Sequence, residues 1–345
     1  MKTQDSSAAI PQQTVKRISK LINLMVVLVI LTLAMLANFY WFYQPRQASN
    51  PQPSEELKSN APQLPSVSAF PIMPFPANDE GKLAEYGKKL ITETYKFIGP
   101  ESALKITGNH LACSNCHLDA GTKAFAAPYI GLMGVFPIYI GRENKVESLE
   151  ERVNGCFERS MNGHALADTS KEMRAIVTYI KHLSYNTGVG KRLEGQGFTK
   201  IEVPNRAANL VAGAKIYKAK CVSCHGDHGQ GLPGSGGNKE GGYIYPPLWG
   251  NDSYNDGAGM ARLLTAAAFI KGNMPFGASA ATSILSDEEA YDVAAFVNSH
   301  DRPVKRNKEL DYPDLAKKPK DCPYPPYADN IPREQHRYGP YFTAR

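Results

Sequence analysis

The chain has 345 residues, 42% of them hydrophobic and 21% charged, with a formal net charge of +6. That length has room for roughly two or three domains, and the basic residues are too scattered to suggest a nucleic-acid-binding block. Six cysteines raise the prospect of disulfides in an exported protein until their spacing is read.

Residues 21–43 (LINLMVVLVILTLAMLANFYWFY) are almost uninterruptedly apolar and follow Lys16, Arg17 and Lys20. About 20 such residues cross a bilayer as a helix. The basic flank keeps residues 1–20 in the cytoplasm, and Tyr40, Trp41 and Tyr43 suit an interfacial aromatic belt at the far end. A cleaved signal peptide is the alternative. Its apolar core usually runs about 7–15 residues before a small-x-small site; this one is longer, and no clean site follows. The expectation is a retained transmembrane anchor with everything after it exported. Residues 44–77 shift to Pro, Ser, Gln and Asn, the composition of an extended spacer with no core of its own.

A first domain is expected over 78–184. Asn78 or Asp79 caps a helix in which Leu83, Tyr86, Leu90, Ile91, Thr94 and Phe97 form an apolar stripe, ended by Gly99-Pro100. Cys113-Ser-Asn-Cys-His117 follows, then a loop over 127–141 punctuated by Gly and Pro. A helical pattern runs from about Glu147 to Met161, and another starts at Thr169 or Ser170. After a linker over 185–204, a second domain over 205–300 repeats the plan. It has a helix from about Asn205 to Ala219, then Cys221-Val-Ser-Cys-His225, a Gly-rich loop, and a closing helix from Ser286 with Glu289 completing a capping box. The tail, 301–345, is proline-rich and is expected to wrap a domain surface.

Cys-x-x-Cys-His is the attachment signature of c-type haem. The two thiols each bond one vinyl group, and the adjacent His reaches the iron. A zinc site or an unmetallated dithiol could carry one such motif, but two in the same structural position argue for two covalently bound haem c groups, on Cys113, Cys116 and His117 and on Cys221, Cys224 and His225. The fold class is therefore all-α: two tandem cytochrome c-like domains after an N-terminal transmembrane helix. Haem attachment through thiols belongs outside the cytoplasmic membrane, so a periplasmic location is expected.

The second axial ligand of each iron decides its chemistry. In the second domain Met274, just before Pro275, is the expected ligand, with Met260 and His228 as alternatives. In the first domain, aligning the repeats sets Met161 opposite Met274. Cys156, however, lies on the same helical pattern, with Arg152, Cys156 and Ser160 spaced i, i+4, i+8 on one face and Arg142 and Lys145 upstream. A thiol among guanidinium groups is pushed toward thiolate, both a nucleophile and a metal ligand, although most free cysteines are small buried hydrophobes. Spacing alone leaves both ligands open. Cys322 could pair with Cys156 and otherwise has no evident role.

The segment Arg152-Val-Asn-Gly-Cys-Phe-Glu-Arg-Ser-Met-Asn-Gly163, downstream of Cys113-Ser-Asn-Cys-His-Leu-Asp-Ala-Gly121, resembles the dihaem thiosulfate dehydrogenases (tetrathionate synthases), and the similarity spans roughly residues 80–300. The resemblance implies His117/Cys156 ligation at an active-site haem, His225/Met274 at an electron-transfer haem, and a substrate pocket lined by Arg142, Arg152 and Ser160. Some relatives carry Lys where this chain has Asn273. The implied reaction couples two thiosulfates into tetrathionate, in either direction. The two arginines, joined by Lys145, would hold the anions, and electrons would leave through the second haem to a small cytochrome c or another periplasmic carrier. A membrane-tethered electron carrier serving a terminal oxidase explains the haems and anchor equally well but gives the Cys156 helix face no purpose. A dihaem peroxidase would need one readily opened iron.

Overall fold

The structure, a computed structural model, describes residues 12–43, 64–234 and 236–341. The chain forms two compact units, Met1–Pro62 and Gln63–Arg345. In the first unit, α1 (Gln12–Tyr43) contains Ser19–Phe39, the one stretch among the described residues long and apolar enough to cross a membrane. Its apolar side chains are exposed from Leu21 to Phe39. Residues 1–11 and 44–63, with most of the expected spacer, lie outside the described residues.

The second unit opens its helical part with α2 (Asp79–Thr92), where the Asn78 side chain accepts the Gly81 N–H at 2.9 Å, and α3 (Thr94–Ile98). The first Cys-x-x-Cys-His leads into the single turn α4 (Leu118–Gly121). The next loop folds back as the antiparallel pair β1 (Ile138–Ile140) and β2 (Lys145–Glu147), with Tyr139 opposite Val146. A Ser148/Glu151 capping box starts α5 (Leu149–Arg159), and Ser170 caps α6 (Lys171–Leu183). The second half repeats the order with α7 (Leu210–Lys220), α8 (Val222–His225), β3 (Leu232–Pro233), β4 (Tyr243–Tyr245), α9 (Leu263–Asn273) and α10 (Asp287–Ser299). The tail adds α11 (Arg333–Tyr338).

Each half is built on one close helix crossing. α2 lies on α6, and a Cβ on Gly87 would sit 2.0 Å from the Ala175 carbonyl oxygen. α7 lies on α10, where a Cβ on Gly213 would come within 2.1 Å of the Asp292 oxygen. Glycine is what lets the backbones meet. Around the first crossing, Leu90, Ile91, Ile98, Met173, Ile176 and Ile180 form a core at most 2% exposed.

Four features depart from the sequence reading. The haem loops hold short β-ladders rather than plain coil. The stretch before Met274 is the helix α9, whose residues are apolar and buried on most sides, so no stripe marks it. The last part of the expected spacer is folded: the Val67 N–H donates to the Glu194 carbonyl at 2.9 Å, and Phe75 packs on Tyr179 and His182. The tail does more than wrap, because Tyr312, Cys322 and Tyr324 form a small core and Asp311 and Asp321 are buried.

Candidate active site

Both proximal histidines are held the same way. His117 Nδ1 lies 2.7 Å from the Ala127 carbonyl, and His225 Nδ1 lies 2.8 Å from the Pro246 carbonyl. A carbonyl oxygen only accepts, so Nδ1 carries the proton and Nε2 keeps the lone pair an iron needs. Burial pushes the His225 imidazole below its ordinary pKa, which favours that neutral form. Cys113, Cys116, Cys221 and Cys224 are free thiols, each partly buried. Burial raises Cys113 and Cys221 to about 11 and Cys116 to about 12. Free thiol pairs next to an oriented imidazole, with apolar walls behind the first motif, fit a covalently attached haem at each site.

The first motif opens on a cavity lined by Cys113, Cys116, His117, Arg152, Cys156 and Ser160. Leu111, Tyr129, Phe157 and Ile180 are among its apolar walls. The fixed start of α5 explains this convergence. Ser148 and Glu151 set the helix's first turn, after which i, i+4 spacing puts Arg152 and Cys156 on the cavity side. Ser160 follows while the backbone is still helical (φ −66°, ψ −36°). Phe157 of the same helix packs into the core, and Arg159, one heptad after Arg152, is buried in ion pairs with Glu143 at 2.7 Å and Asp311 at 3.0 Å.

Arg152 Nη1 is 3.1 Å from the Cys156 sulfur. Burial pushes that thiol up, but the opposing action of Arg152 and His117 brings it down to about 6. Cys156 thus favours thiolate at neutral pH, while burial pushes the attachment thiols Cys113, Cys116 and Cys221 the other way. Arg152 pairs with no carboxylate among the described residues, so beyond the Cys156 sulfur its guanidinium is left to meet an anion in the cavity.

The remaining expected site residues fall in different places. Lys145 lies outside the residues that line the cavity. Its ammonium is half-exposed and bonds Glu151 at 2.6 Å, drawn to the carboxylate that completes the α5 capping box. Arg142 stands close enough to Arg152 for their charges to repel, but it does not line the cavity. Its guanidinium is occupied by the Gly257 carbonyl and Asp311. Met161 lines the cavity too, as a 3% exposed member of the apolar core. Met274 caps the end of α9 and is half-buried. Of its alternatives, His228 is exposed and Met260 lines the first motif's cavity. Cys322 is buried beside Tyr312 and Tyr324, and neither it nor Cys156 is in a disulfide.

Sequence reasoning missed Tyr254 and considered Met260 only for the second haem, whereas both reach the first cavity from the second half of the chain. No local spacing could have announced them. The halves are joined by buried polar contacts: Asn255 donates to the Glu158 carbonyl at 2.8 Å, and Asn109 donates to the Ser253 carbonyl at 3.2 Å. His110 sits between Glu101 and Asp252, at 2.7 and 2.8 Å.

Known proteins resemble this chain across both halves. Residues 105–189 match the family model of the SoxA/TsdA cytochrome c domain, and residues 210–301 match that of cytochrome c. The thiosulfate dehydrogenase of Stutzerimonas stutzeri is 42% identical over 66% of this chain and 70% of its own. That of Psychrobacter arcticus is 39% identical over 75% and 80%, and that of Allochromatium vinosum 38% identical over 73% and 88%. Among solved structures, the thiosulfate dehydrogenase (TsdBA) of Marichromatium purpuratum in its as-isolated form superposes with a TM-score of 0.62 at 34% identity. The match covers 71% of this chain and spans half the length of that one. On these matches, and on two Cys-x-x-Cys-His motifs in two cytochrome c domains, the chain belongs to the dihaem thiosulfate dehydrogenase family.

Proposed function

We propose that this protein oxidises thiosulfate, joining two molecules into tetrathionate, at the cavity of the first haem motif. The observation that carries this reading is Cys156, a thiol lowered to about 6 with the Arg152 guanidinium 3.1 Å away. Two thiosulfate dianions about 5 Å apart repel by about 3 kcal/mol even in bulk water, and by several times that in a drier site. Fixed cations must offset this, and a guanidinium fork matches sulfonate oxygens. Arg152 is the cation in contact with the cavity, Arg142 adds charge behind it, and Ser160 offers a hydroxyl donor.

Each haem, when bound, takes up and passes on one electron at a time. Cys156 thiolate and the outer sulfur of one thiosulfate form a sulfur–sulfur bond, releasing two electrons and leaving Cys–S–S–SO3⁻. The outer sulfur of a second thiosulfate attacks the sulfur bearing the sulfonate. Tetrathionate leaves and Cys156 returns as thiolate, so atoms and charge balance. The reverse sequence reduces tetrathionate. His117 and Cys156 would hold the iron of the first haem until the Cys156 sulfur turns to thiosulfate, and His225 and Met274 would hold that of the second. Cys156 is preferred to Met161, which also lines the cavity, because Arg152 and His117 draw its thiol toward thiolate. The second haem, held on Cys221, Cys224 and His225, would supply the exit for electrons to a small cytochrome c or another periplasmic carrier. The segment Ser19–Phe39, preceded by Lys16 and Arg17, would hold the protein to the outer face of the cytoplasmic membrane with its N-terminus inside.

Purified protein mixed with thiosulfate and an electron acceptor tests the reading. Turnover should yield tetrathionate, and Cys156→Gly should abolish it while both haems stay attached by haemochrome assay. Near-normal turnover in that variant would end the mechanism. A wild-type protein that accepts electrons from other donors but leaves thiosulfate untouched would be a carrier.

A further inference from the structure

Asp311 lies in the tail, beyond both family models, and is 5% exposed. Its carboxylate receives Arg159 at 3.0 Å, Lys305 at 3.4 Å, Arg142 at 3.7 Å and the Tyr324 hydroxyl at 2.6 Å. The next residue continues the grip: the Tyr312 N–H donates to the Arg142 carbonyl at 2.7 Å, and the Arg142 guanidinium lies 5.4 Å from the centre of the Tyr312 ring. Arg142 follows β1, and Arg159 ends the helix that carries Arg152, Cys156 and Ser160. One buried carboxylate from the tail therefore ties the two chain segments that frame the cavity.

We infer that Asp311 is a positioning residue for the thiosulfate reaction, acting through Arg142, and that the tail braces the active site from behind its lining. The inference rests on the function proposed above. Charge explains why a carboxylate is needed here. Arg142, Arg159 and Lys305 converge in a buried space next to Arg152, which pairs with no carboxylate among the described residues. With Asp311 and Glu143 in place, two of those three charges are matched. Without Asp311, the Arg142 guanidinium loses the one carboxylate within 4 Å of it among the described residues and is repelled by its cationic neighbours. It would then no longer stand as a fixed charge behind Arg152. Burial pushes the Asp311 carboxyl up, yet Arg159, Tyr324 and Arg142 together hold it below the ordinary range, which favours the ionised form at neutral pH.

The test is a double-mutant cycle on the full-length holoprotein, with kcat and KM for thiosulfate and thermal unfolding measured for each variant. Asp311→Asn should lower kcat/KM about tenfold, mainly through KM, in the native background. In an Arg142→Leu background the same change should cost less than threefold, because residues acting as one unit are not additive. A tenfold loss in both backgrounds overturns the inference and makes Asp311 a support of the fold alone. So does an unchanged KM with only a lowered melting point. Should Asp311→Asn fail to keep its haems, Tyr324→Phe replaces it in the same cycle, since it leaves the carboxylate but removes its closest donor. The same non-additivity is then expected on a smaller loss, and additivity again overturns the inference. An unmodified protein with no thiosulfate turnover sinks the proposed function and this inference with it, whereas additive losses in an active enzyme sink only this one.

Discussion

At the scale of single residues, what separates Cys156 from the four attachment thiols is its neighbour. Burial acts on Cys113, Cys116 and Cys156 alike, and only Cys156 has a guanidinium at 3.1 Å to outweigh it. Arg152 then has two tasks, holding the thiolate and meeting the incoming anion. A hydrogen bond to a charged group contributes about 1.5–3 kcal/mol, or roughly 10- to 150-fold in rate. Arg152→Ala should lower kcat/KM by at least that range, in steady-state assays with thiosulfate. Arg152→Lys should recover only part of the loss, because an ammonium keeps the charge without the fork. Ser160→Ala removes a neutral donor worth about 1 kcal/mol, so about a fivefold effect is expected. If Ser160→Ala proved the more damaging change, the cavity's anion would have to be held differently.

At the scale of elements, the sequence was readable wherever structure is local. The caps Asn78, Ser170 and Ser286 start helices within one residue of where their side chains announce them. The face shared by Arg152, Cys156 and Ser160 needs only the helical repeat. Long-range features were not readable. Met260 reaches the first cavity from the opposite half, α9 has no polar face to reveal its period, and Asp311 closes on Arg159 across 152 positions of sequence. The glycines at the two helix crossings lie between these cases, because their spacing is local but their reason is not. Gly213→Ala would place a methyl group 2.1 Å from the Asp292 backbone oxygen, on a helix that cannot yield as a flexible side chain would. Overpacking of this kind costs about 1–3 kcal/mol. Thermal or denaturant unfolding of the holoprotein should show that loss with the α5 chemistry intact. An unchanged melting point would mean that α7 and α10 can slide apart without penalty.

At the scale of the molecule, the haem motifs and the apolar N-terminal helix make different demands on their surroundings. The unit 63–345 buries its apolar residues and ties its two halves with polar contacts through Asn109, His110 and Asn255. In α1 the balance is reversed, with Leu21, Ile22, Val26, Ile30 and Leu33 all at least half exposed. Only a hydrocarbon surrounding or removal of the segment relieves that exposure in water. The stretch Ser19–Phe39 has 21 residues, and at a rise of about 1.5 Å per residue it extends about 31 Å, matching a hydrocarbon core of about 30 Å. A retained anchor predicts that the mature protein sediments with membranes, resists extraction by alkaline carbonate, comes into solution with detergent, and still begins upstream of Ser19 by N-terminal sequencing. A cleaved signal predicts the opposite on each count, with a soluble periplasmic protein whose first residue lies beyond Tyr43. Since every cavity-lining residue lies in the second unit, both forms should oxidise thiosulfate equally well in solution. The anchor would then serve to keep the second haem near a membrane-side electron acceptor, and detaching it should slow respiration on thiosulfate in whole cells while leaving the purified enzyme's kcat unchanged.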